Sequence, residues 1–453
     1  MKPNNSFFRT VCRLAIPVAL QSMLQASFSI VDQIMIGQLG SVSVAGVGLA
    51  GRFASIFSVV VSAIGAVAGI MISQYLGQEN RREVRRSFFV NFAICLGLTA
   101  VFTLLSAGLP LQVMGLYTPD PLTRQASAGY LAIIAATFLP IAGATLISTL
   151  LRCMEKAQLP LYASIASALL NSGLNYLLIF GKLGLPAMGV TGAAIATVIS
   201  QWANCLIMLA MLLFCRCLPK AQGSTAPAAF RWKQYLAMLL PILICELLWS
   251  LGENVYAAIY GHMGTEASAA MMLMNPIQSL MIGALCGLSQ AAGVIIGKLL
   301  GKGEYDSAYR AARKLLLYGL CGSVLLSAAV IGIRPFYVKI YQVEPQVRLL
   351  TRQILLAYAL VAPFKVLNMI LSGGILRSGG KTSYVMGIDI VGTWLFGVPL
   401  GLLSAFVWKL PIAAVYFLLS LEECVRFAIG LAVLRSRKWM HQLEAGDTAW
   451  HNP

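Results

Sequence analysis

The chain has 453 residues, 58% of them hydrophobic and 11% charged, against about 45–50% and about 25% in ordinary soluble domains. So few charges cannot cover a water-soluble fold of this length, which excludes the soluble classes. The formal charge of +17, from 33 Lys and Arg against 16 Asp and Glu, is then first a matter of which loops carry it.

Apolar runs long enough to cross a hydrocarbon core of about 30 Å recur along the whole chain. Bounded by charge, Gly and Pro, they predict helices over 11–37, 46–75, 88–110, 128–150, 161–181, 189–214, 236–260, 268–299, 315–333, 354–376, 384–407 and 411–434. Residues 1–13 are short and basic, and the first apolar run continues without a small-residue cleavage site, so the first helix reads as an uncleaved anchor. Alternate loops differ in charge. The N-terminus, Arg81/Arg82/Arg85/Arg86, Arg152/Lys156, Arg216 to Lys233, Lys298 to Lys314, Arg377/Lys381 and Arg435/Arg437/Lys438 place 23 Lys and Arg on one side against seven on the other. The positive-inside bias makes the rich side, with both termini, cytoplasmic. The basic excess is therefore topological, with attraction to anionic lipid as a second role, and nucleic acid is not an expected partner.

The longest polar interruption, LPKAQGSTAPAAFRWK over 218–233, reads as a cytoplasmic linker between an N-terminal lobe, 1–217, and a C-terminal lobe, 234–453. A shift of 224 residues pairs Pro17 with Pro241, Gly37 with Gly261, Gly69 with Gly293 and Gly77 with Gly301; a shift of 225 pairs Arg152 with Arg377 and Lys156 with Lys381. Matches at Gly and Pro carry weight because those residues fix backbone geometry. The expected fold is an all-α polytopic membrane protein of twelve transmembrane helices in two pseudo-symmetric six-helix bundles. Two such bundles suit alternating access around a site near the midplane.

Acids inside apolar spans are costly and mark functional positions. Asp32, in IVDQIMIG, shares a helical stripe with Gln25 and Gln21. Asn171 and Asn175 lie one turn apart in the fifth span, and Thr197 lies in the sixth. A carboxylate with amide and hydroxyl oxygens suits Na⁺, with Asp32 as its anionic ligand, whereas the same carboxylate desolvated holds a proton. Interhelical hydrogen bonding is the other reading of the two Asn. In the seventh span Glu246, Trp249, Glu253, Tyr256 and Tyr260 step by three and four along one face, which fits a lipophilic cation held by charge and cation–π contact. Met271, Met272, Met274 and Met281 supply either a deformable wall or core filling. Asp389 is a further substrate-side acid, a carrier of protons or a structural partner for a basic residue. Glu422, Glu423 and Arg426 have spacings that allow internal pairing, and Arg52 and Lys365 are the remaining basic residues within spans. The ten cysteines form no C-x-x-C pair, which supports neither a disulfide framework nor a zinc site.

The segments IPVALQSMLQASFSIVDQIMIGQLGSVSVAGVGLA and ISQYLGQENRREVRR, with LPILICELLWSLGENVYAAIYGHMGTEASAA, ILRSGGKTSYVMGIDIVGTWLFGVPLG and LEECVRFAIG in the second half, resemble the multidrug and toxic compound extrusion (MATE) family, in particular its branch in Gram-positive anaerobes. The resemblance implies a secondary antiporter in the cytoplasmic membrane that exports cationic, lipophilic drugs or metabolites as Na⁺ or H⁺ enters, with no cofactor beyond that coupling ion. It implies a small lipophilic cation as substrate; membrane lipid is the other expected partner, and because two lobes need no partner subunit to form a pathway, action as a monomer is expected. By the same resemblance Asp32 matches the family's acid in the first helix, and Asn171, Asn175 and Thr197 fall at cation-ligand positions. Some members carry Asp at the position of Asn175 and an acid where PFKVLNMILSGGILR offers Lys365, while Glu253 lies where the nearer branch often has an uncharged residue. One rival is a lipid-linked or anionic substrate flippase of the wider superfamily, which would want a cationic cleft. The other is a membrane enzyme, for which no H-E-x-x-H, G-x-S-x-G or P-loop motif is present.

Overall fold

A computed structural model describes residues 4–39, 41–184, 186–215, 218, 230–341 and 343–444, so most of the proposed 218–233 linker lies outside the described residues. Among the described residues all regular structure is helical. We number the long helices α1 (Asn4–Gly37), α2 (Ser41–Gly77), α3 (Arg81–Gly108), α4 (Pro121–Cys153), α5 (Gln158–Phe180), α6 (Gly189–Phe214), α7 (Trp232–His262), α8 (Thr265–Gly301), α9 (Tyr305–Tyr337), α10 (Pro345–Leu376) and α11 (Ser383–Val407). Each is long and apolar enough to cross a membrane. The twelfth apolar segment, α12, is interrupted: Ile412–Ser420 and Glu422–Ser436 are separate helices joined at Leu421.

The helices overrun the apolar windows at their basic ends. α3 begins at Arg81, where Asn80 caps it by accepting the Glu83 N–H at 3.1 Å, so the arginine run forms helical turns and not a loop. α9 likewise takes in Arg310, Arg313 and Lys314. Arg and Lys are good helix formers whose apolar stems stay buried while the charge reaches water.

Two compact units emerge. One comprises residues 20–72 and 80–226; the other comprises 1–19, 73–79 and 227–453. Residues 4–19 and the end of α2 thus pack with the C-terminal half of the chain.

In the first unit α5 and α6 form an antiparallel hairpin. Gly181 ends α5 in the left-handed conformation, and a Cβ on Gly192 would lie 2.6 Å from the Leu178 carbonyl oxygen. α4 passes through a 3₁₀ turn at Ala135–Thr137. Pro140 has no N–H for the Ala136 carbonyl four residues back. The Trp202 indole of α6 donates to that carbonyl at 3.1 Å instead.

In the second unit α10 packs between α8 and α9, around a core that includes Met274, Ile354, Tyr358, Val415 and Leu419. Three stretches are π-helical: Met369–Leu376 in α10, and Ile390–Gly397 and Leu403–Val407 in α11. Such widened turns leave carbonyls to be satisfied from outside the helix. The Ser289 hydroxyl of α8 donates to the Met369 carbonyl at 2.7 Å, and a Cβ on Gly374 would lie 2.5 Å from the Ser289 carbonyl oxygen.

Candidate functional site

In the first unit, α1 delivers Asp32 to α5. The Asn175 amide donates to Asp32 Oδ1 at 2.7 Å. In the amide orientation that satisfies its neighbours, Asn171 places its nitrogen 3.1 Å from both carboxylate oxygens and accepts the Ser200 hydroxyl at 3.2 Å. Spacing alone predicted that α5 carries these two amides on one face; the structure brings both to the carboxylate. Thr197 stands off: its hydroxyl donates to the Ala193 carbonyl of its own helix at 2.9 Å.

Gln25 is exposed, while Gln21 is buried and engaged elsewhere, donating to Ser164 at 2.7 Å and accepting from Arg152 at 2.9 Å. The expected Gln21, Gln25 and Asp32 stripe is therefore not one site, because Arg152 and Ser164 claim Gln21. Sequence reasoning missed Ser200, whose place three residues after Thr197 was the available signal, and Tyr130, which lies within electrostatic reach of Asp32.

Asp32 is half-buried and faces two N–H donors, an arrangement that satisfies an ionised carboxylate with no cation on it. The Asn175 amide oxygen is buried and has no partner. Rotating that amide would exchange a donor for an oxygen ligand beside the carboxylate, the chemistry a hard cation needs.

In the second unit the α7 face divides between two adjoining cavities. The first, about 250 Å³, is lined by Glu253, Tyr256 and Tyr260 with Tyr358, Tyr416, Glu422, Glu423 and Lys365, and by Met271, Met272 and Met274. The second, about 270 Å³, is lined by Glu246 and Trp249 with Cys245, Arg377, Asp389 and Arg426, and it shares Lys365 and Glu423. The single aromatic-acid face expected from a period of 3.5 is thus corrected. Arg377 takes Glu246 at 3.2 Å, which separates it from Glu253.

Asp389 is not a free acid. Arg426 binds it and also lies 3.5 Å from Glu423, whose carboxylate and backbone carbonyl each accept from the Asn368 amide at 2.7 Å. Tyr256 donates to the Glu422 carboxylate. Met281 is buried outside the lining of the first cavity, and Arg52 is exposed.

The two cavities differ in charge. With ordinary ionisation the first carries Glu253, Glu422 and Glu423 against Lys365, net −2; the second carries Glu246, Asp389 and Glu423 against Arg377, Arg426 and Lys365, net zero. Burying this many charges requires mutual pairing. The break at Leu421 helps, because it sets Glu422 and Glu423 in the first turn of a helix, where free N–H groups favour anions.

The π-helical stretch of α11 makes the room. A Cβ on Gly392 would overlap the Arg426 side chain, and one on Gly397 would overlap the Glu422 carboxylate and lie 2.5 Å from the Tyr256 hydroxyl. Gly397→Ala is accordingly expected to part Tyr256 from Glu422 and to destabilise the protein by about 1–3 kcal/mol, the usual range for overpacking. Thermal unfolding of the purified variant measures this; a transition at the wild-type temperature would show that the helix yields.

The MatE family model matches residues 17–177 and 241–403. Among curated proteins the chain is 24% identical over 453 residues to the uncharacterized transporter YisQ of Bacillus subtilis, covering 97% of each chain. It is 27% identical over 418 residues to the probable multidrug resistance protein NorM of Chromobacterium violaceum, covering 90% of this chain and 88% of that one. Among solved structures it superposes on the bent form of the Vibrio cholerae MATE transporter VcmN with a TM-score of 0.86 and 18% identity, over 97% and 99% of the two chains. With helices of this length and the family matched across both halves, the chain belongs to the MatE family and is a multi-pass membrane transporter, not an enzyme.

Proposed function

We propose that the chain is a secondary antiporter that exports small lipophilic cations by alternating access, driven by Na⁺ or H⁺ entering at Asp32. The observation that carries this reading is the pairing of Asp32 with Asn171 and Asn175 in one unit, while the other holds an acidic, tyrosine-lined cavity. The coupling cation replaces the amide donors at the carboxylate, with Asn175 able to turn its unpartnered oxygen toward Na⁺; a proton would instead cap Asp32 itself. Thr197 serves the site through the helix that holds Ser200. Glu253 and the tyrosines receive the cationic substrate.

The second cavity supports a wider substrate range. Its balance of three acids and three bases accommodates cations that also bear an anionic group. Probable multidrug resistance proteins named NorM are among the relatives, which agrees with the export of drugs. The Lys/Arg-rich loops, and with them both termini, face the cytoplasm of a prokaryotic cell. The protein acts as a monomer.

Ethidium uptake into inside-out vesicles, under an imposed Na⁺ gradient or an imposed pH gradient, tests the proposal. Uphill uptake with one gradient names the coupling ion. Uptake with neither, by folded and correctly oriented protein, overturns the reading and leaves an anionic or lipid-linked substrate as the alternative.

A further inference from the structure

A groove of about 670 Å³ runs between α9 and the second helix of α12, with α10 as its floor. It takes no part in the sites described above. Its length is apolar: Leu317 and Leu320 from α9, Phe364 from α10, and Leu431 from α12. Phe364 and Phe427 meet nearly edge to face, with ring centroids 6.1 Å apart, and wall it deeper in the span. Polar side chains gather at one end only, where Tyr309, Arg313 and Arg435 line it.

Contacts fix those residues at the same end. Arg437 binds Asp306 at 2.8 Å, and its guanidinium lies 4.7 Å from the centre of the Tyr309 ring. The end of α12 is thereby pinned to the start of α9. Arg313, Leu317 and Leu320 then follow at spacings of four and three along one stripe, so a charge leads directly into apolar surface.

Both Arg313 and Arg435 are exposed, and among the described residues neither forms an ion pair. Asp306, two turns before Arg313 on α9, is neutralised by Arg437. Two guanidinium groups above an apolar furrow are complementary to an anion attached to a hydrocarbon chain. Their planar N–H forks match phosphate oxygens, and the furrow offers an acyl chain a dry wall.

We propose that this groove is a binding site for one anionic phospholipid of the surrounding bilayer. Its phosphodiester sits on Arg313 and Arg435, and one acyl chain lies along Leu317, Leu320 and Leu431. The basic end belongs to the Lys/Arg-rich side of the chain, where α9 starts and α12 ends.

The test is native mass spectrometry of the purified full chain, titrated with phosphatidylglycerol or phosphatidylcholine of matched acyl chains. One phosphatidylglycerol is expected to be retained with about 30-fold preference, the sum expected for two basic residues near an anionic surface. Arg313→Gln combined with Arg435→Gln brings the two lipids to parity. Leu317→Trp, which leaves both arginines and fills the furrow, also releases phosphatidylglycerol, and millimolar inorganic phosphate does not displace it from the wild type. Thermal unfolding without added lipid checks that each variant is folded; should the double variant fail that check, Leu317→Trp and single Arg313→Gln carry the test. Equal retention of both lipids by the wild type, full retention by the folded variants, or displacement by inorganic phosphate would overturn the proposal.

Discussion

Replacing Asp32 by Asn is expected to reduce uphill ethidium uptake to the level of vesicles lacking the protein while leaving the fold intact. The two outcomes separate because the site can absorb an amide. In the wild type, Asp32 accepts an N–H from Asn175 at 2.7 Å and from Asn171 at 3.1 Å. An Asn at this position keeps one oxygen to accept from Asn171 and directs its nitrogen at Asn175. The Asn175 amide oxygen, buried and unpartnered, becomes an acceptor when that side chain turns. The stability change is then that of one rearranged hydrogen bond, about 1 kcal/mol. Coupling loses the only charge in the cluster. Cation affinity should fall about 100-fold, which corresponds to about 2.7 kcal/mol, and no protonatable group is left in its place. Uptake driven by Na⁺ and by pH gradients, measured beside thermal unfolding, checks both halves. A folded Asp32→Asn variant that still pumps uphill at the wild-type rate would move the coupling site to the acids of the second unit.

The helices and their charge asymmetry were legible because hydrophobic length and basic loops are local properties of the chain. The chemistry of the sites was legible only by residue type. Asp32, Asn171 and Asn175 stood out as polar groups in apolar spans, and α5 spacing put the two amides on one face; that α1 lies against that face is a tertiary fact. Glu246 and Glu253 share a stripe of α7, yet Arg377, 131 residues beyond Glu246 in the chain, divides them. The π-helical turns of α10 and α11 left no periodic signal. Within two of them Gly374 meets α8, and Gly392 and Gly397 make way for Arg426, Glu422 and Tyr256. The spacing of Glu423 and Arg426 allowed the internal pair that forms at 3.5 Å, but nothing local reveals the break at Leu421 or that Glu422 and Glu423 line the first cavity beside Lys365.

Trp439→Ala is expected to have the largest effect on stability of any single substitution in the tail after α12. Residues 437–444 have no helical period and no apolar run, but they form a strap across one end of the second unit. Trp439 is fully buried, and its indole N–H donates to the Leu434 carbonyl, one of the last-turn carbonyls of α12, at 3.2 Å. Gly379 allows the crossing, since a Cβ there would overlap the Trp439 carbonyl. Gln74, at the end of α2 and wholly buried, donates to the carbonyls of Ser378 at 2.7 Å and His441 at 3.1 Å and accepts the Leu443 N–H at 2.7 Å. Gln442 donates to the Gly301 carbonyl at 2.6 Å at the end of α8. The strap therefore joins the last turns of α2 and α8 to the 378–380 turn through polar bonds, and the indole supplies its apolar anchor. Truncating a buried Trp to Ala costs about 3–5 kcal/mol. Trp439→Phe keeps most of the ring and loses the indole hydrogen bond, while the Leu434 carbonyl keeps the Arg437 N–H at 3.3 Å, so it should cost less, about 1 kcal/mol. Thermal unfolding in detergent ranks wild type above Trp439→Phe above Trp439→Ala. Wild-type stability in the Ala variant would show that the strap is held by its polar bonds without the indole, and Gln74→Leu, which leaves the Ser378 and His441 carbonyls and the Leu443 N–H without that partner, then becomes the substitution that loosens it.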